Sequence, residues 1–199
     1  MGSNKRKVIV FGGSFSPPTK AHEAIIRHSL SLPGYDEIWL IPSGNRTDKN
    51  IAVSPEQQLE MLHLLVHESF AGDPRLRIID TELNRGIATE TYDTYQEFLR
   101  DHPDTHFQFV FGADSYSSIH EWLNGEYLAE NLPVMIVPRG NYPMPALAEH
   151  ITHFPTLHAD VSPISSTDVR STAAKNETID HLVPDTVGNY VQEKRLFKS

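Results

Sequence analysis

Val8-Ile9-Val10-Phe11-Gly12-Gly13-Ser14-Phe15-Ser16-Pro17-Pro18-Thr19-Lys20-Ala21-His22 is the stretch from which the rest of the chain can be read. Four apolar residues in a row, three of them β-branched, suit a strand covered on both faces. Two glycines and a serine then let the backbone approach a ligand and leave amide N–H groups free for an anion. Thr19 and His22 are three apart, so on a helix they share a face near its positive end. A buried strand, a small-residue turn and a helix start together predict a phosphate cradle. The plain alternative is a close-packed βα turn with a histidine on its helix. The segment lacks both the G-x-G-x-x-G fingerprint and the Walker ending, so it does not decide between the two.

Outward from this turn, apolar runs alternate with helical patterns. Strands are expected at Val8–Phe11, Glu37–Ile41, Leu76–Ile79, Phe107–Phe111, Val134–Val137 and Thr156–His158. Helices are expected near His22–Leu32, Pro55–Phe70, Thr91–Arg100, Ser115–His120, Tyr127–Asn131, Ser166–Lys175 and Pro184–Lys194. Ser54-Pro55-Glu56-Gln57 is a helix start with cap, N1 proline and a Gln at N3. Strand–helix alternation predicts an α/β chain: a Rossmann-like, doubly wound parallel sheet of five to six strands with helices on both faces. Ligands on such a sheet bind beyond the carboxyl ends of the strands.

The chain has 199 residues, enough for one core, and is expected to form a single domain over residues 1–199. Residues 1–6 are expected to be disordered, and 164–199 to form a C-terminal helical part. Residues 138–163 are proline-rich and irregular. Zero cysteines exclude thiolate chemistry and a disulfide framework. A net charge of −9 disfavours nucleic acid as a partner. No apolar run approaches a membrane span or a signal sequence, so cytoplasm is the expected compartment. In so acidic a chain, Lys20, Arg46, Lys49, Arg139 and Arg170 stand out as cations beside turn-like segments.

Two further segments carry chemistry. Phe109-Val110-Phe111-Gly112-Ala113-Asp114-Ser115 runs a strand into a small-residue turn and a carboxylate. Asp114 either accepts hydrogen bonds from ribose hydroxyls or caps the next helix. Trp122 offers an indole face to a planar ring or to the core. Ile164-Ser165-Ser166-Thr167-Asp168-Val169-Arg170 puts three hydroxyls and free amides at a helix start, with Arg170 on the face of Thr167. It reads as an anion site or as a capping sequence. His63 and His67, four apart, have no third metal ligand in view.

Together these segments resemble the nucleotidyltransferase superfamily, with its (H/T)-x-x-H turn at Thr19–His22 and its S-S-T-x-x-R helix start at Ser165–Arg170. Within it the chain is most similar to the nicotinate/nicotinamide mononucleotide adenylyltransferases. Gly12–Phe15, Asp36–Pro42, Thr91–Thr94, Phe111–Asp114 with Trp122, Val137–Arg139 and Leu182–Asp185 carry the likeness in order. The resemblance implies AMP transfer from ATP to a pyridine mononucleotide in NAD biosynthesis. Pyrophosphate is released by direct in-line displacement, with Mg²⁺ bound through the ATP phosphates.

It implies His22 and Arg170 as catalytic residues. The ATP site would comprise Gly13, Ser14, Phe15, Thr19, His22, Lys49, Gly112, Asp114, Ser165, Ser166, Thr167 and Arg170. The mononucleotide site would comprise Ser14, Phe15, Glu90, Thr91, Trp122 and Arg139. No residue is assigned as a metal ligand. ATP and the mononucleotide are the expected partners, with room for a homo-oligomer. A relative using another acceptor, such as phosphopantetheine, and a non-catalytic nucleotide-binding protein are the alternatives. Three departures mark this chain. Thr19 stands where bacterial nicotinate-type members have histidine, Asp48 precedes Lys49 in place of an imidazole, and Glu90 replaces an aromatic residue. A carboxylate at Glu90 is expected to disfavour the nicotinate anion.

Overall fold

The computed structural model describes residues 5–44, 51–155 and 164–198. Its elements in chain order are β1 (Arg6–Gly13), α1 (Lys20–Ser31), β2 (Glu37–Pro42), α2 (Pro55–Phe70), β3 (Leu76–Ile78), α3 (Thr81–Asn84) and α4 (Thr91–Asp101), followed by β4 (Thr105–Gly112), α5 (Ala113–Tyr116), α6 (Gly125–Asn131), β5 (Val134–Val137), β6 (Ile151–His153), α7 (Ser166–Ala174) and α8 (Asp185–Glu193). The six strands form one sheet in the order β3-β2-β1-β4-β5-β6, and every neighbouring pair is parallel. This is the doubly wound α/β architecture expected from the alternation.

Alternate residues of each strand feed separate cores. Ile9, Phe11, Ile38, Leu40 and Met135 face α1, α2, α7 and α8, whereas Val10, Trp39, Phe109 and Ile136 face α4 and α6. Burial on both faces is why the strands read as continuous apolar runs. The C-terminal helices share the first of these cores, with Val169, Ala173, Val187 and Val191 packed among β1 residues. The chain leaves β1 towards β2 and β3, then returns to β1's other side as β4. That reversal opens a crevice at the carboxyl ends of β1 and β4, between Gly12-Gly13 and Gly112-Ala113.

Two expectations need correction. Residue 6 is ordered: Arg6 opens β1, pairs with Glu37 at 3.2 Å and lies 5.5 Å over the Trp39 ring. The strand expected at Thr156–His158 lies outside the described residues. The sixth strand is β6, whose three residues are mostly exposed at the sheet edge and carry too little apolar pattern to read. The helix expected over Ser115–His120 divides into α5 and a 3₁₀ turn at Ile119–Glu121. Its serines drive the break. Ser117 Oγ donates to the Asp114 carbonyl at 2.7 Å and Ser118 Oγ to the Ser115 carbonyl at 3.0 Å, competing with the helical ladder.

Candidate active site

The turn after β1 is built around a buried wedge. Phe15 takes a left-handed φ of 41°, is fully buried and packs edge-on to Phe11 at 5.6 Å and against His22 at 5.0 Å. Its ring is therefore the floor of the turn, and only its main chain can meet a ligand. Thr19 is the N-cap of α1 and is also fully buried. Its N–H donates to His22 Nδ1 at 2.9 Å, while its Oγ1 accepts from the His22 N–H at 3.4 Å. This is a capping box closed by histidine in place of the usual Glu or Gln.

The cap has a chemical consequence. A ring whose Nδ1 accepts an amide N–H must carry its proton on Nε2 when neutral. Burial, and then the nearby Arg139 charge, lower the His22 pKa to about 3. Between pH 6.5 and about 3 the unfolded chain therefore binds a proton that the folded ring refuses, so stability falls as pH falls through that window. His22→Gln should shallow the slope of unfolding free energy between pH 6.5 and 4.5. Equal slopes in urea titrations of the two proteins would contradict a neutral ring.

The start of α7 reaches this turn from some 150 positions later in sequence. Ser166 Oγ donates to the Pro17 carbonyl at 2.8 Å, and Arg170 Nη1 donates to the Ser16 carbonyl at 2.8 Å. Arg170 Nη2 meets Thr167 Oγ1 at 3.1 Å. Ser165 caps the helix, its hydroxyl bonded to Asp168 Oδ2 at 2.5 Å. The three hydroxyls thus divide their work: Ser165 caps, Ser166 staples two segments, and Thr167 meets the arginine. Ser165 and Ser166 are not free donors for an anion. What α7 offers one is its N-terminal amides, Thr167 and the Arg170 fork. Arg139 joins them, its Nη1 donating to the Ile164 carbonyl at 3.4 Å. Lys20 is bonded to the Asp180 carbonyl at 2.8 Å, so it anchors α1 to the C-terminal segment. Arg46, Asp48 and Lys49 lie outside the described residues.

Beside the turn is a cavity of about 350 Å³. Gly12, Gly13 and Ser14 form one part of its wall, Asp114 and Trp122 another, and Thr91 a third. Asp114 makes no side-chain cap to α5; its carboxylate lies over Gly112, where a Cβ would collide with it. Trp122 packs edge-on against Phe111 at 5.2 Å, and its Nε1 donates to Ser118 Oγ at 3.2 Å. Glu90 does not line the cavity. It is the N-cap residue of α4 and makes no side-chain cap bond, whereas Thr89 and Thr91 on either side of it face inward.

Three residues of this region were not anticipated. Glu82 lines the cavity and accepts from Thr94 Oγ1 at 2.8 Å and Thr89 Oγ1 at 3.3 Å. Burial raises its pKa, against the lowering effect of Thr94, the Arg85 charge, the Gly44 N–H and Thr89. Its signal was legible: Glu82 is a carboxylate just past a strand end. Gln58, 1 % exposed, donates to the Ser14 carbonyl at 2.5 Å and the Ser43 carbonyl at 3.1 Å, clamping the loops after β1 and β2 together. Nothing in its sequence context distinguishes it from a surface glutamine. Tyr142 lines the cavity from the irregular segment after β5. Among the described residues no cluster of three or more His, Cys, Asp or Glu could hold a metal ion, and no helix is long and apolar enough to cross a membrane.

A crevice at the sheet's switch point, with two helix N-termini stapled beside it, is the setting in which the comparisons with known proteins fall. The family model described as cytidylyltransferase-like matches residues 10–172. The probable nicotinate-nucleotide adenylyltransferase of Leptospira borgpetersenii serovar Hardjo-bovis is 32% identical over 191 residues, 94% of this chain and 95% of that one. That of Geobacillus thermodenitrificans is 32% identical over 196 residues, 96% and 86% of the two chains. The structure of Plasmodium falciparum nicotinic acid mononucleotide adenylyltransferase complexed with NaAD superposes with a TM-score of 0.84 at 25% identity, covering 96% of this chain and 97% of that one. The chain belongs to the cytidylyltransferase-like family and, within it, to the nicotinate/nicotinamide-nucleotide adenylyltransferases.

Proposed function

We propose that this chain transfers AMP from ATP to a pyridine mononucleotide, forming the dinucleotide and pyrophosphate. The observation that carries this reading is the staple of α7 onto the turn after β1, through Ser166 to Pro17 and Arg170 to Ser16. It unites two anion-binding helix starts next to a cavity with an aromatic wall. Such a site suits a triphosphate on one side and a ring-bearing phosphate acceptor on the other.

In the proposed reaction a phosphate oxygen of the mononucleotide forms a bond to the ATP α-phosphorus while the α–β bridging bond breaks. The chain needs no nucleophile of its own, and the work is positioning and charge neutralisation. His22 Nε2–H donates to the α-phosphate as charge develops there. Arg170, Thr167 and the first amides of α7 hold the β- and γ-phosphates, with Arg139 adding charge. Asp114 accepts hydrogen bonds from the adenosine ribose, and Trp122 meets the pyridine ring. A Mg²⁺ ion would be carried by the phosphate oxygens and water. When bound, that ion would neutralise the triphosphate.

The acid form of the acceptor is the better fit. α4 has no side-chain cap and begins at Thr91, on the cavity wall, so its first amides are open to a carboxylate. Glu90 lies off that wall, so its expected opposition to nicotinate is through space only. Both relatives compared above also carry nicotinate in their names. Nicotinate mononucleotide should exceed nicotinamide mononucleotide in kcat/KM by about tenfold or more, roughly 1.4 kcal/mol. Following pyrophosphate release with ATP, Mg²⁺ and each acceptor checks this; a preference for the amide reverses it. Turnover with phosphopantetheine alone, or with no acceptor, would replace the reading by one of its alternatives.

A further inference from the structure

Tyr142 has features that neither packing nor the reaction outlined above explains. Tyr142 lines the cavity, yet the residue is 53 % exposed. Its ring makes no aromatic contact among the described residues, unlike Trp122, Phe109 and Phe111 on the same cavity. Its position is nonetheless held from both sides. Its N–H donates to the Arg139 carbonyl at 3.0 Å, after Gly140 turns the chain with a φ of 48°. Two residues on, Met144 packs against the core cluster that also carries Trp122. An anchored ring left at the mouth of a ligand cavity gains little from water and much from a flat partner.

The ligand class supplies that partner. The ring of an oxidised pyridine mononucleotide is joined to ribose through its nitrogen and carries a positive charge. Aromatic faces attract such a cation. We infer that Tyr142 is a substrate-binding residue whose phenol ring packs on the pyridinium ring of the acceptor, giving the mononucleotide subsite a second aromatic wall beside Trp122. This rests on the reading of the acceptor as a pyridine mononucleotide. The contact distinguishes charged from uncharged rings and leaves the ATP subsite untouched.

The test uses the full chain with Tyr142→Leu and Tyr142→Phe. Tyr142→Leu should raise KM for nicotinate mononucleotide about fivefold, with KM for ATP and kcat within about twofold of wild type. Tyr142→Phe should restore the wild-type value. Wild type should bind oxidised nicotinamide mononucleotide more tightly than its reduced, uncharged form, and Tyr142→Leu should narrow that ratio. A change that merely loosened the fold would not select ring charge. In wild type, mononucleotide alone should slow nitration of Tyr142 by tetranitromethane, read by peptide mass. An unchanged KM in Tyr142→Leu, or nitration indifferent to the mononucleotide while turnover is normal, overturns the inference. Wild type that neither binds a mononucleotide nor forms dinucleotide overturns the functional reading and this inference with it.

Discussion

His22→Ala should lower kcat by two or more orders of magnitude while the protein stays folded. The neutral ring is held by the Thr19 N–H on Nδ1, which leaves Nε2–H as a fixed donor beside the turn. A preorganised donor of this kind is worth about 10²–10³ in rate when its target gains charge in the transition state. Folding is read separately: alanine is a good helix former at this third position of α1, but the ring's contacts with Phe11 and Phe15 and the bond from the Thr19 N–H are lost. Pyrophosphate release at saturating ATP, Mg²⁺ and mononucleotide, alongside a melting curve, measures both. Near-normal turnover in a folded variant would remove His22 from the mechanism.

The second large effect is expected at Arg170, with a different kinetic signature. Arg170→Ala should lower kcat/KM for ATP by about 10²–10³, chiefly through KM, because the fork proposed to meet the β- and γ-phosphates also ties α7 to the Ser16 carbonyl. Arg170→Lys should recover only a minor part, since an ammonium cannot bridge a carbonyl and an anion with one planar fork. Ser166→Ala separates the two roles. It breaks only the staple to the Pro17 carbonyl, so it should weaken stability by about 1–3 kcal/mol and touch ATP affinity less. If Ser166→Ala and Arg170→Ala lose equal affinity for ATP, Arg170 acts by holding the turn and not by binding phosphate.

Thr19, expected from the resemblance to be a departure, has a physical role in the structure. Its buried hydroxyl and amide both serve the cap, and the amide fixes which nitrogen of His22 carries the proton. The Glu90 departure matters less than its charge suggested. Periodicity places Glu90 next to Thr91 at the start of a helix, but which neighbour faces the cavity depends on how α4 docks on the sheet.

Local chemistry is legible in a linear chain, and so the strands, the parallel alternation, the glycine turn and the capped helix starts could all be read from residue order. Each depends on neighbours within a few positions, or on burial of both sheet faces. From the residues alone Thr19–His22 and Ser165–Arg170 read as two separate helix starts, and only the family resemblance put them in one expected ATP site. Their meeting is a tertiary fact, made by hydroxyl and guanidinium bonds to the carbonyls of Pro17 and Ser16. The same holds for the Gln58 clamp and for the place of Tyr142 on the cavity wall, which exist only because distant loops converge beyond the strand ends. A side chain's direction is set by packing of whole elements, and no local pattern carries that information.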